Sequence, residues 1–151
     1  LWVARRALTK ATDPGLLDNL VGGGVPHGQT PFETLVREGF EEAGLDAPTM
    51  RRATPGRVIE LARDIREGFM HEQLYTFDLH LPADLTPVNQ DGEVAELRLL
   101  PVDEALALAA GDAMTVDAAL VTLDFALRHD LQPAADLERL YSRFAPLLHR
   151  P

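Results

Sequence analysis

The sequence predicts an α/β (α+β) fold, with a mixed β-sheet and helices on its faces. Three observations point there. The 151 residues, 46 % of them hydrophobic, suffice for one domain with a real core and are too apolar for disorder. Short β-type runs are interleaved with helix-type runs. Between Thr30 and Gly44 one helix carries both its start and its stop signal.

Leu1 to Arg6 reads as a strand, since Trp2 and Val3 are good β formers. Thr12-Asp13-Pro14-Gly15 is a turn. Leu16 to Val21 is a short apolar strand. Gly22 to Gly28, with three consecutive glycines and Pro26, is a loop. Thr30 then caps a helix, Pro31 fits its first position, and Glu33 completes a capping box. Gly44 sits where a left-handed terminator belongs. Phe32, Leu35, Val36, Gly39, Phe40 and Ala43 share one face, which the spacing predicts to pack on a sheet. Gly39 on that face predicts close approach of helix and sheet backbone.

Further on, Arg57 to Ala62 and His71 to Leu81 read as strands, the second alternating along its length. Asp91-Gly92 is a turn, followed by a strand from Glu93 to Leu100. Helices are predicted over Asp103 to Ala110, Val116 to Arg128 and Ala135 to Leu147, the last with Leu137, Leu140, Tyr141 and Phe144 on one stripe. There is no internal repeat or low-complexity linker, so residues 1–151 read as a single domain. The chain opens on Leu1 rather than Met, as a piece of a longer protein would.

The formal net charge of −10 at pH 7 argues against a broad nucleic-acid or anionic-membrane surface. It leaves room for a small anionic substrate, because a bound metal reverses the local sign. No cysteine is present, so there is no disulfide framework and no thiol nucleophile. That composition suits a cytoplasmic protein. No apolar run approaches the length of a membrane span, and no secretory signal is evident. Oligomeric state is not readable; the last amphipathic helix would cover either its own core or a partner in a homodimer.

Chemistry concentrates in Arg37-Glu38-Gly39-Phe40-Glu41-Glu42, just after Gly22-Gly23-Gly24. Glu38 lies three residues before Glu41 and four before Glu42, so the three carboxylates share one helical surface. Like charges that close repel, and Arg37 alone does not balance them. A hard divalent cation would. Such a cation handles phosphates, and the expected chemistry is metal-dependent hydrolysis of a small-molecule diphosphate.

Gly23 to Leu45 resembles the Nudix box, G-x5-E-x7-R-E-U-x-E-E-x-G-U, where U is a bulky aliphatic. Gly23, Arg37, Glu38, Glu41, Glu42, Gly44 and Leu45 match in register. Gln29 stands where the first Glu belongs, and Gly39 where an aliphatic belongs. The resemblance implies the Nudix α/β/α sandwich and a loop–helix–loop holding Mg²⁺ or Mn²⁺. Beyond the box, Leu1 to Arg6, Lys10, Pro14 to Asn19, Tyr75 to Leu79, Leu81-Pro82, Asp91 to Val94, Leu123 to Phe125 and Arg128-His129 are similar to the Nudix proteins related to the domain fused to thiamine pyrophosphokinase. Members of that subgroup remove phosphate from thiamine diphosphate and its oxidised forms. They usually carry a further N-terminal region. Isopentenyl diphosphate isomerases share the opening strand, but their chemistry uses a cysteine that this chain lacks.

The resemblance implies metal and catalytic roles for Glu38, Glu41 and Glu42, with Glu93 as a further ligand or general base. Arg37 would orient Glu41 or Glu38 through a charge-assisted bond. Gly22, Gly23 and Gly24 would let backbone approach metal or phosphate, with the Gly23 carbonyl as a ligand. Arg5, Arg6 and Lys10 are candidates for the diphosphate; strand alternation allows at most one of Arg5 and Arg6. Gln29 is expected to weaken a structural link. Phe69, Tyr75 and Trp2 are read as core residues ahead of ring-stacking ones, and the five histidines as structural. The alternatives are a Nudix hydrolase of another nucleoside-diphosphate-linked substrate, or a Nudix-fold module that binds without turnover.

Overall fold

Alternation along the first strand decides how the fold is layered. In β1 (Trp2–Arg6), Val3 enters a hydrophobic core while Ala4, its neighbour, faces the opposite way. A computed structural model describes residues 1–65, 68–131, 137, 142, 144 and 146. β1 is central in a three-stranded antiparallel sheet, flanked by β2 (Leu17–Asn19) and β5 (Val94–Leu99). Register pairs Ala4 with Asp18 and with Leu97. Between β2 and β5 in the chain come α1 (Pro31–Ala43), the single-turn α2 (Ala47–Met50), and a hairpin of β3 (Thr54–Ile65) and β4 (Gly68–Asp78). α3 (Val102–Ala110) and α4 (Val116–Arg128) follow β5.

Val3, Leu17, Leu61, Leu106, Leu120 and Leu123 belong to the larger core, where α3 and α4 cover one face of the sheet. The smaller core joins Ala43, Leu45 and Met50 to Leu20, Val21, Leu35, Val36 and Leu79. Leu137 and Phe144 are buried in the larger core; the rest of the helix expected over 135–147 lies outside the described residues, apart from Ser142 and Pro146.

The named strands pair only antiparallel. The parallel component of the expected mixed sheet is one isolated bridge, Leu17 to Met114. β2 is shorter than the expected 16–21 run, and β4 stops at Asp78 rather than Leu81.

α1 forms as its end signals require. Thr30 Oγ1 accepts the Glu33 N–H at 3.2 Å, while the Glu33 carboxylate accepts the Thr30 N–H at 2.8 Å. Such caps contribute about 1 kcal/mol. At the other end Gly44 has φ 65°, and the N–H groups of Gly44 and Leu45 donate to the carbonyls of Phe40 and Gly39. This is a closure of the αL type.

Two expectations about α1 are corrected. Gly39 makes room for Met50 of α2, not for sheet backbone: a Cβ there would lie 2.5 Å from Met50 Cε. Phe40 is an exposed residue, because the neighbouring α2 covers the Gly39 side of the helix only. Phe69 and Tyr75 also stand outside the core, 70 % and 45 % exposed, on the open face of the hairpin. No described helix is long and apolar enough to cross a membrane.

Candidate active site

The outward face of β1 becomes one wall of a cleft. Ala4 and Arg6 alternate onto it, and the Ala4–Asp18 register brings Asp18 of β2 beside them. Lys10, Asn19, Gly22, Glu42, Glu93 and Val94 complete the lining of a small cleft open to solvent. Five of these residues are ionisable, two cationic and three acidic.

Glu42, on the last turn of α1, is 8 % exposed. Its Oε2 accepts the Gly22 N–H at 2.8 Å. Burial pushes its carboxyl from 4.5 up to about 7; the Gly22 bond lowers it, while the negative charges of Glu38, Asp18 and Asp91 raise it further. A buried acid with three acidic neighbours is a place where a cation would be strongly favoured. Loop backbone fixes its position. The N–H of Val88 donates to the Ala43 carbonyl and that of Gln90 to the Glu41 carbonyl, so the loop carrying Asp91 caps the end of α1.

Glu38 and Glu41 lie beside the cleft rather than in its lining. Arg37 forks between them: Nη2 donates to Glu38 Oε1 at 2.6 Å and Nη1 to Glu41 Oε2 at 2.8 Å. It therefore holds both acids, where one was expected. Gly23 packs so closely on the Glu38 carboxylate that a Cβ would collide with it, whereas a Cβ at Gly22 or Gly24 meets nothing within 4 Å. Of the three glycines, only Gly23 is required by close approach.

Glu93 sits just before β5, and its carboxylate accepts from Lys10 Nζ across the cleft. Asp91 Oδ1 accepts the Glu93 N–H and Asn89 Oδ1 that of Gly92, which shapes this turn. Arg6 lines the cleft; Arg5 does not. Arg5 donates to Glu96 and to the Gly15 carbonyl, as strand alternation demands. Gln29 keeps a local link, its Oε1 accepting from Thr34 Oγ1 at 3.3 Å.

Asp18 and Asp91 were not among the sequence-derived candidates. Asp18 could have been found by alternation: Leu17 is apolar and core-bound, so its neighbour on β2 faces the other way. Asp91 reads in sequence only as part of a turn.

Among the described residues no three His, Cys, Asp or Glu side chains already converge as a metal cage. The donor types nevertheless suit a hard cation. Glu42 and Glu38 are carboxylates that repel one another, the donor type a hard cation takes, and Gly23 leaves space only for the Glu38 carboxylate.

A box helix ending in buried Glu42, set against a glycine-rich loop and a three-stranded sheet, defines a Nudix-type site. The chain belongs to the NUDIX domain family, which it matches over residues 1–120. It is 42 % identical over 132 residues to Nudix hydrolase 24, chloroplastic, of Arabidopsis thaliana, covering 87 % of this chain and 36 % of that protein. It is 38 % identical over 130 residues to Nudix hydrolase 20, chloroplastic, of the same plant, covering 85 % and 35 %. The chain thus spans about a third of the length of these relatives. Its fold is similar to that of a MutT protein from Methanosarcina mazei, with a TM-score of 0.60 at 20 % identity over 87 % of this chain and 85 % of that one.

Proposed function

We propose that the chain is a metal-dependent Nudix pyrophosphohydrolase that cleaves a diphosphate linkage, with thiamine diphosphate or its oxidised analogues as substrate and a monophosphate plus phosphate as products. The observation that carries the hydrolase reading is Glu42: a buried acid, bonded to a glycine-loop N–H and crowded by Glu38, Asp18 and Asp91. Membership of the family and the hydrolase names of the two plant relatives support the same class. The thiamine part rests on the segments outside the box, from Leu1 to Arg6 through Arg128-His129.

Glu42, Glu38 and Glu41 would hold Mg²⁺ or Mn²⁺, with the Gly23 carbonyl as a further donor. When bound, such an ion supplies neutralising charge to the diphosphate oxygens. The chain's own residues do the rest. Arg6, from the β1 wall, and Lys10, from the turn after it, meet the phosphates. Glu38 or Glu93 takes the proton of the attacking water. Arg37 keeps Glu38 and Glu41 in place.

A second reading, a module that binds a diphosphate without turnover, is favoured by one observation. Arg37 already pairs with two of the three box acids.

Product release with Mg²⁺ or Mn²⁺, read as inorganic phosphate for the thiamine compounds and as nucleoside monophosphate for ADP-ribose and the triphosphates, separates these. The panel holds thiamine diphosphate, its oxo and oxy analogues, ADP-ribose and nucleoside triphosphates, with Glu42→Gln as control. Turnover of thiamine compounds that is lost in the control is expected. Turnover of another compound discards the thiamine reading and keeps the hydrolase. No turnover across the panel leaves the binding module.

A further inference from the structure

We propose that Asp18 is a positioning residue, which holds the Arg6 guanidinium at the cleft so that it receives a phosphate of the substrate. The proposal rests on the diphosphate-hydrolase reading above for the identity of the ligand.

The two residues are brought together by register. Ala4 pairs with Asp18 across β1 and β2, and Arg6 follows Ala4 on the same face. Arg6 Nη1 donates to Asp18 Oδ2 at 2.8 Å. Both side chains are largely covered, 18 % and 23 % exposed, so solvent screens this pair less than a surface one.

The donor count of Arg6 is nearly closed. Nε donates to the Thr12 carbonyl, and Nη2 donates to the Thr12 carbonyl and hydroxyl. With Nη1 on Asp18, four of the five N–H groups of a guanidinium are committed. The remaining one is on Nη1, the nitrogen that Asp18 holds. Thr12 fixes the guanidinium from one side and Asp18 from the other, which leaves a single donor for a ligand in the cleft that Arg6 lines.

Asp18 Oδ1 accepts the Asn19 N–H at 2.9 Å and its Oδ2 accepts from Arg6. Each oxygen thus has one donor, the backbone of the next residue for one and the guanidinium for the other. Its chemistry is exerted through Arg6.

Calorimetry with methylenediphosphonate and Mg²⁺ tests this on the whole chain, alongside steady-state kinetics on whichever panel compound is turned over. Asp18→Asn is expected to raise the Kd about tenfold, the scale of one charge-assisted bond, and to raise KM far more than it lowers kcat. Asp18→Glu is expected to recover most of the affinity. Arg6→Gln combined with Asp18→Asn is expected to bind no worse than Arg6→Gln alone, because Asp18 acts only through Arg6. A Kd within twofold of wild type for Asp18→Asn, or additive losses in the double variant, overturns the positioning role. If wild type turns over a diphosphate under that result, the hydrolase reading stands. If wild type binds the diphosphonate as expected without turning over any panel compound, the hydrolase reading fails and the role of Asp18 stands. Neither binding nor turnover overturns both.

Discussion

Glu42 Oε2 accepts the Gly22 N–H at 2.8 Å, which ties the last turn of the box helix to the first glycine of the loop. If Glu42 is the principal cation ligand, Glu42→Gln loses roughly 10²–10³-fold in kcat, about 3–4 kcal/mol of transition-state stabilisation. A steady-state assay with Mg²⁺ measures this. Activity within twofold of wild type removes Glu42 from the role.

The same substitution has the opposite effect on stability without metal. Glu42 titrates near 7 when folded, against 4.5 as its ordinary value. An acid whose folded value is raised contributes stability below about pH 4.5 and loses it as pH rises through 7. In chelator, Glu42→Gln should therefore equal wild type at pH 4 and exceed it at pH 8, by on the order of 2–3 kcal/mol. Urea melts at the two pH values measure the gap.

At Gly23 a side chain and the Glu38 carboxylate compete for one space. Gly23→Ala should lower kcat by about tenfold or more, because Glu38 must leave its place beside Arg37. Gly24→Ala, whose Cβ meets nothing within 4 Å, should have the smaller effect. Equal effects in the same assay would show that the loop acts by flexibility alone.

Arg128 joins two acids that are distant in sequence. It donates to Asp78 through Nη1 and Nη2, at 2.5 and 2.9 Å, and to Asp124 through Nε at 2.6 Å. Asp124 is 1 % exposed. Arg128→Met should destabilise by about 3–5 kcal/mol, since it leaves the buried Asp124 carboxylate with only Arg57, at 3.6 Å. Arg128 and His129 hold the Asp78 carboxyl below its ordinary value of 3.8. Its contribution is present above about pH 4 and is lost as pH falls further. The stability gap between wild type and Asp78→Asn should narrow from pH 6 to pH 2.

Asp117 behaves in reverse. Burial, with the Glu72 carboxylate beside it, pushes it up to about 6, although Arg63 opposes this. Ionising it disfavours the fold as pH rises from 4 through 6. Asp117→Asn should raise the Tm at pH 8 and leave it unchanged at pH 3.

What could be read from sequence was local. The box helix announces itself because Thr30, Pro31, Glu33 and Gly44 act within a turn of its ends. Alternation on β1 likewise separates Arg5 from Arg6. What escaped depends on long-range pairing. Met50 meets Gly39 from a single helical turn, too short for periodicity to reveal. Asp18 becomes a cleft residue only through the β1–β2 register. Phe69 and Tyr75 have core-like side chains, but the described hairpin strands pair only with each other, and one face stays open. The motif Leu123-Asp124-Phe125 with Arg128-His129, which carried no chemistry in sequence, is a clasp between α4 and the end of β4.

The segment 88–93 is bonded to both sides of the cleft. Gln90 and Val88 donate to the end of α1, and the Glu93 carbonyl accepts the Ala7 N–H just beyond β1. Widening the gap between Glu42 and Arg6 would break main-chain bonds on one side or the other. The slot therefore has a fixed gauge, like a key-way cut in one piece. On the diphosphate reading proposed above, a substrate would be selected by whether its phosphates span that gauge.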